Sequence, residues 1–195
     1  MATDLKAKNS IKSVFYFRGR FDDYFRELQD EDNEIHSKIF GETYQAYVFF
    51  VYYGLLKGKR HAFDSEKDQS SDPQAKSPIG YRYEYATRGS EIFNYDTLRK
   101  IVLIFDESRG MSFKEKMEDA FKYDYPTNNV DNEEMISRSR YGDHTELLDQ
   151  YALGGLDLFY KQVSSISTRE GFVEFMQKQM KEFNELAERM RVMVD

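Results

Sequence analysis

Apolar residues recur along this chain at helical spacing, most cleanly near its C-terminal end. There Phe172, Met176, Met180, Phe183, Ala187, Met190 and Val194 follow one another every three or four positions, with Lys, Glu and Arg between them. That period predicts a long amphipathic helix. Phe21, Tyr24, Phe25 and Leu28 stand at i, i+3, i+4 and i+7 and predict a second one near the start. Residues 42–56 are apolar almost throughout. Their β-branched and aromatic content suits a strand, but the run is longer than strands usually are. A buried helix ending at Leu56-Lys57-Gly58 is expected, with Gly58 as its C-cap.

Start signals extend the pattern. Ser112-Phe-Lys-Glu115, Asp143-His-Thr-Glu146 and Ser167-Thr-Arg-Glu170 each have the form of a capping box. They predict helices running to Phe121, to about Gln162, and through the C-terminal stretch. Residues 91–105 offer Ile92, Phe93, Leu98, Ile101, Val102 and Phe105 to a core from a further helix. Strand signals are few: residues 11–17 suit a strand or a helical turn, and Tyr81, Tyr83 and Tyr85 alternate with Arg82 and Glu84. Residues 1–10 read as a flexible lead and 123–132 as a loop. Residues 64–79 are polar, hold two of the three prolines and have no period, so a mobile loop is expected. It offers little to bury, and replacement by a short Gly/Ser linker should be tolerated. The expectation is a mainly α single domain over residues 1–195: a bundle of about six helices with at most a small β element.

Composition changes this picture in one respect. Sixteen Phe and fifteen Tyr, with no Trp, supply much of the core's bulk, and the phenol hydroxyls must find partners at its edge or at an interface. There is no Cys, which removes disulfides and thiolate metal sites and fits a reducing compartment. The N-terminal residues carry lysines without an apolar segment, unlike a secretory signal. The longest apolar run, 46–56, is far short of the roughly 20 residues that span a bilayer. A cytoplasmic protein without membrane contact is expected. A net charge of −7 opposes nucleic-acid binding by the surface as a whole, leaving only a local patch to do it.

Candidate chemistry is sparse. His36, His61 and His144 lack the spacing of metal ligands, and Asp143-His144 are chain neighbours that a helix turns about 100° apart. An exposed or capping role is expected for His144. No nucleophile elbow, phosphate-binding loop or dinucleotide fingerprint occurs, so no catalytic residue, metal site or cofactor is assigned. Lys57, Lys59 and Arg60 form the best basic cluster. They suit contact with a phosphate or an acidic surface, and equally a helix C-terminus where cations complement the dipole. Tyr81, Tyr83 and Tyr85 with Arg82 and Arg88 suit base stacking less well than edge-strand packing.

Gly154 and Gly155 fall in mid-helix, where each costs about 1 kcal/mol relative to Ala. Close packing of another helix is the commonest compensation. Leu at position 155 should then be disruptive, while Ala, the better helix former, should be tolerated. In the last helix Phe172 and Met176 are expected in the core. Met190 and Met193 are candidates for a partner interface, since Met adapts to varied surfaces and terminal turns have fewer neighbours.

Three stretches carry a resemblance: the apolar helix and Gly-x-x-x-Gly-Lys-Arg of residues 43–60, Glu91-Ile-Phe, and Leu147-Leu-Asp-Gln-Tyr-Ala-Leu-Gly-Gly-Leu156. Together they resemble small accessory proteins encoded beside Dnd-type DNA phosphorothioation and other prokaryotic anti-phage systems. The resemblance covers about a third of the chain and implies a defence context and a multi-protein assembly, without chemistry. The expectation is a non-catalytic interaction subunit with protein partners. The alternatives are a nucleic-acid-binding module using Lys57, Lys59 and Arg60, and a small metal-dependent enzyme.

Overall fold

The computed structural model describes residues 14–71, 76–81, 95–122 and 132–194, with side chains described over 17–71, 95–122 and 143–188. Strand β1 (Val14–Arg18) leads into helix α1 (Arg20–Leu28), and helix α2 (Thr43–Leu56) follows. Strand β2 (Lys76–Tyr81) pairs antiparallel with β1, Val14 opposite Tyr81 and Arg18 opposite Lys76. Then come α3 (Tyr95–Phe105), a 3₁₀ turn (Glu107–Arg109), α4 (Phe113–Lys122), α5 (Asn132–Val163) and α6 (Arg169–Val194). The fold is mainly α, with six α-helices and one two-stranded sheet among the described residues.

The core is aromatic. Phe17, Phe21, Phe25 and Leu28 of β1 and α1 meet Tyr47, Phe50 and Tyr53 of α2 and Leu156 and Phe159 of α5. Phe50 stands 5.2 Å from Phe40 and 5.7 Å from Phe159, ring centre to ring centre, both at the edge-on angles that aromatic rings favour. Four of the phenol hydroxyls reach carboxylate or amide acceptors, as Tyr chemistry demands. Tyr47 donates to Asp149 (3.0 Å), Tyr151 to Asp106 (2.7 Å), Tyr160 to Glu27 (2.6 Å) and Tyr53 to Gln162.

Helix α2 stops where Gly58 was expected to stop it. Gly58 takes φ +60°, its N–H donates to the Leu55 carbonyl (3.1 Å), and the Lys59 N–H reaches back to Gly54 (2.8 Å). This pair of bonds is a Schellman motif. Behind it, α2 and α5 pack backbone to backbone. A Cβ on Gly155 would lie 2.0 Å from the Phe50 carbonyl oxygen, and one on Gly54 2.3 Å from that of Tyr151. A Cβ on Gly154 would lie 2.5 Å from the Lys59 carbonyl oxygen. Ala at 155, expected from helix propensity alone to be tolerated, therefore collides with a main-chain carbonyl.

The Ser112–Glu115 box forms as read: the Ser112 N–H donates to Glu115 (2.7 Å) and the Glu115 N–H to Ser112 Oγ (3.3 Å). Two other boxes differ. Thr168, not Ser167, caps α6, its Oγ1 accepting from the Gly171 N–H at 3.1 Å. Residue Asp143 lies inside α5, which begins at Asn132 and runs on through Gly142, and His144, expected to be exposed or capping, is instead buried because it pairs with Arg99 and Asp119. The polar segment 64–79 is also more structured than expected. Its first part folds onto α1 around a buried Asp68, and its last residues, from Lys76, form β2. Pro78 is accommodated because each strand of a two-stranded sheet is an edge strand. Residues 1–10, Arg82, Tyr83, Tyr85, Arg88, Ile92, Phe93 and the 123–131 stretch lie outside the described residues. No helix among the described residues is long and apolar enough to cross a membrane.

Candidate functional site

The basic cluster does not act as one patch. Lys57 pairs with Glu182 of α6 and lies over the Tyr53 ring, while Lys59 is exposed. Arg60 turns the other way. The segment after α2 runs against α5, held by the His61 N–H donating to the Gln150 carbonyl (2.9 Å) and by the close approach at Gly154. This sets the Arg60 guanidinium 5.8 Å from the centre of the Tyr151 ring and 3.8 Å from Asp106 Oδ2.

Arg60 there lines a cleft of about 260 Å³ together with Arg109, Asp143, His144, Glu146, Leu147 and Gln150. At its edge lies the most concentrated polar chemistry of the described residues. His144 is only 3% exposed, and Arg99 and Asp119 beside it are buried too. Arg99 Nη1 donates to His144 Nδ1 at 3.1 Å, so Nδ1 carries no proton and Nε2 carries it. Nε2–H then donates to Asp119 Oδ2 at 3.2 Å. Arg99 also donates to Asp96 Oδ1 through Nε (3.0 Å) and Nη2 (2.7 Å), and to the Ala120 carbonyl. Arg109 donates to Asp119. Asp106, fully buried, accepts from Tyr151, from the Ser108 N–H (2.9 Å) and from the Ser108 hydroxyl.

The electrostatics follow from this wiring. Burial holds the His144 pKa down to about 4, with Asp119 pulling it up and Arg99 and Arg109 pushing it further down. The Asp96 carboxyl is raised by burial, but hydrogen bonds from Lys100 and Arg99 more than offset this and hold it below its usual value. Burial and the Asp106 carboxylate push the Tyr151 phenol above its ordinary range. A general base or a metal ligand needs an imidazole nitrogen directed at its target. Both nitrogens of His144 are committed to neighbours within the fold, so the cluster clamps α3, α4 and α5 together as it stands. Among the described residues no three His, Asp or Glu groups are placed to hold a metal ion. Compared with protein families, curated proteins and solved structures, the chain matches none.

Sequence spacing missed this cluster because its members come from three helices and their positions are 20 and 25 residues apart. One signal was present: Arg99 stands beside Leu98 in a helix whose buried positions are Tyr95, Leu98, Arg99, Val102 and Leu103. A charged residue on such a stripe calls for a buried acid or another acceptor. Gly154 and Gly155 sit at the α2–α5 contact, and Gly154 also brings Arg60 to the cleft. The side chains of Met190 and Met193 lie outside the described residues.

Proposed function

We propose that this chain is a non-catalytic contact subunit of a larger cytoplasmic assembly, working through surfaces it presents to other proteins. The observation that carries the reading is the orientation of α4. That helix turns polar residues inward, Lys116 at 9% and Asp119 at 6% exposure, together with Ala120. Its large apolar residues face out: Phe113 and Phe121 are 52% and 54% exposed, and half-buried Met117 lies between them at i+4. An i, i+4, i+8 stripe of this kind is the form in which a helix offers itself to a partner groove. Asp119 explains the inversion, since it must face His144 and Arg109 to complete their pairing. The resemblance to accessory proteins of phosphorothioation and anti-phage systems supports a defence setting for the assembly.

The test is a double Phe113→Ser, Phe121→Ser variant expressed with an affinity tag in the native cell. Both side chains are half exposed, so unfolding should shift by less than about 1 kcal/mol. The expected outcome is an unchanged melting curve with loss of the proteins that co-purify with the wild-type chain. Retention of the same proteins by a folded variant would remove α4 as the contact surface and the reading with it.

A further inference from the structure

Helix α6 touches the core with only part of its apolar surface. Phe172, Phe175, Met176 and Phe183 pack there half-buried, with Phe183 5.5 Å from Phe49 and Phe175 5.5 Å from Phe159, ring centre to ring centre. Gln179 is the residue that turns fully inward, at 3% exposure. On the neighbouring face Val173 is 46% exposed, Met180 62%, and Ala187 is exposed as well. These three are seven residues apart, and Met176 and Phe183 lie between them. An apolar seam at 3–4 residue spacing thus runs along α6 with one margin on the core and the other in solvent.

The row flanking the open margin indicates what covers it. At the same heptad spacing it reads Glu170, Gln177, Asn184 and Arg191, an acid at one end, a base at the other and two uncharged amides between them. The first three of these are exposed. When two like helices pack antiparallel, each flanking row lies against its own counterpart in reverse order. Reversed, this row brings Glu170 to Arg191, Gln177 to Asn184, and Met180 close to itself. A parallel arrangement would instead set the row against the margin already on the core.

We infer that the chain pairs with a second copy of itself through α6, the two helices antiparallel about a two-fold axis passing beside Met180. This contact is separate from the α4 stripe, so either can fail without the other. Because the chain has no cysteine, single introduced thiols report the geometry directly. Sedimentation of the full chain should show a dimer, and Met180→Glu should give a monomer that still unfolds cooperatively, with a melting temperature that no longer depends on protein concentration. Under oxidising conditions Met180→Cys should cross-link to itself. Val173→Cys and Ala187→Cys should each cross-link poorly alone, and efficiently with each other when the two proteins are mixed. Glu170→Arg or Arg191→Glu alone should weaken the dimer by several fold, and the two together should restore it. A wild-type chain that stays monomeric at its highest soluble concentration overturns the inference. So does Val173→Cys cross-linking to itself as readily as to Ala187→Cys, which signals a parallel pair.

Discussion

His144 shows how one side chain can set a pH limit on the whole fold. In the native state its imidazole is neutral, because burial and the cations Arg99 and Arg109 outweigh the attraction of Asp119 and bring its pKa to about 4. In the unfolded chain it titrates near 6.5. Between these values the unfolded state binds the proton and the native state does not, so stability is complete above about pH 6.5 and falls as pH drops toward 4. The loss assignable to this residue is about 3 kcal/mol, to order of magnitude. Urea unfolding at pH 7 and pH 4.5 should therefore show a steeper decline for the wild type than for His144→Gln, which cannot take up the proton. Equal declines would mean that the imidazole is already protonated or solvated in the fold. The position could not be read from its neighbours in sequence. Asp143-His144 has the form of a helix start, and only the company of Arg99 and Asp119 reveals a buried interior position.

Among the elements, those whose ends or faces are fixed by local chemistry were the legible ones. The α1 stripe, the glycine stop of α2 and the Ser112–Glu115 box each depend on residues within a turn or two of one another. What escaped was set by distant partners. A 3.6-residue period allows either 179 or 180 to follow Met176, and docking against α2 and α5 selects Gln179, leaving Met180 outside. The glycine pair falls between these cases, since the close approach was legible and its tightness was not. Gly155→Ala improves helix propensity by about 1 kcal/mol, yet its methyl would meet the Phe50 carbonyl oxygen at 2.0 Å. A main-chain atom in the middle of a helix cannot swing aside. The expected net loss is at least about 2 kcal/mol in equilibrium unfolding. Gly171→Ala is the comparison, because its methyl would meet only the Thr168 and Ile166 side chains, at 3.1 and 3.2 Å. If Gly155→Ala is as stable as Gly171→Ala, α2 and α5 are not in backbone contact.

At the scale of the whole molecule, the segment after α2 ties α5, at Gln150, to the first turn of α1. Asp68 is 1% exposed, accepts from the Asp64 N–H at 2.9 Å and from His61 Nε2 at 2.6 Å, and lies 2.8 Å from Arg20 Nε. Its carbonyl accepts from the Arg20 N–H at the start of α1 (3.2 Å). Two residues on, Ser70 and the Ser71 N–H donate to Asp23 on the same helix, at 2.7 and 2.9 Å. Polar composition suggested a dispensable loop, because a run of Asp, Ser, Lys and Gln has little to bury. Such a run can still be held by the hydrogen bonds it makes to a helix terminus. Burial alone would raise the Asp68 carboxyl, but the Asp64 N–H, His61 and Arg20 together hold it below its usual value. That stability is present above about pH 4 and is lost as the carboxyl protonates at lower pH. Asp68→Ala removes the acceptor shared by the Asp64 N–H, His61 and Arg20, and because both cationic partners are partly exposed it should cost about 2 kcal/mol. Replacing residues 64–71 with Gly and Ser at unchanged length should cost at least as much, because it also removes the Ser70 contact to Asp23. Thermal unfolding of the two variants decides the matter. A linker variant that melts with the wild type would show that α1 and the β1–β2 pair hold their places without this segment.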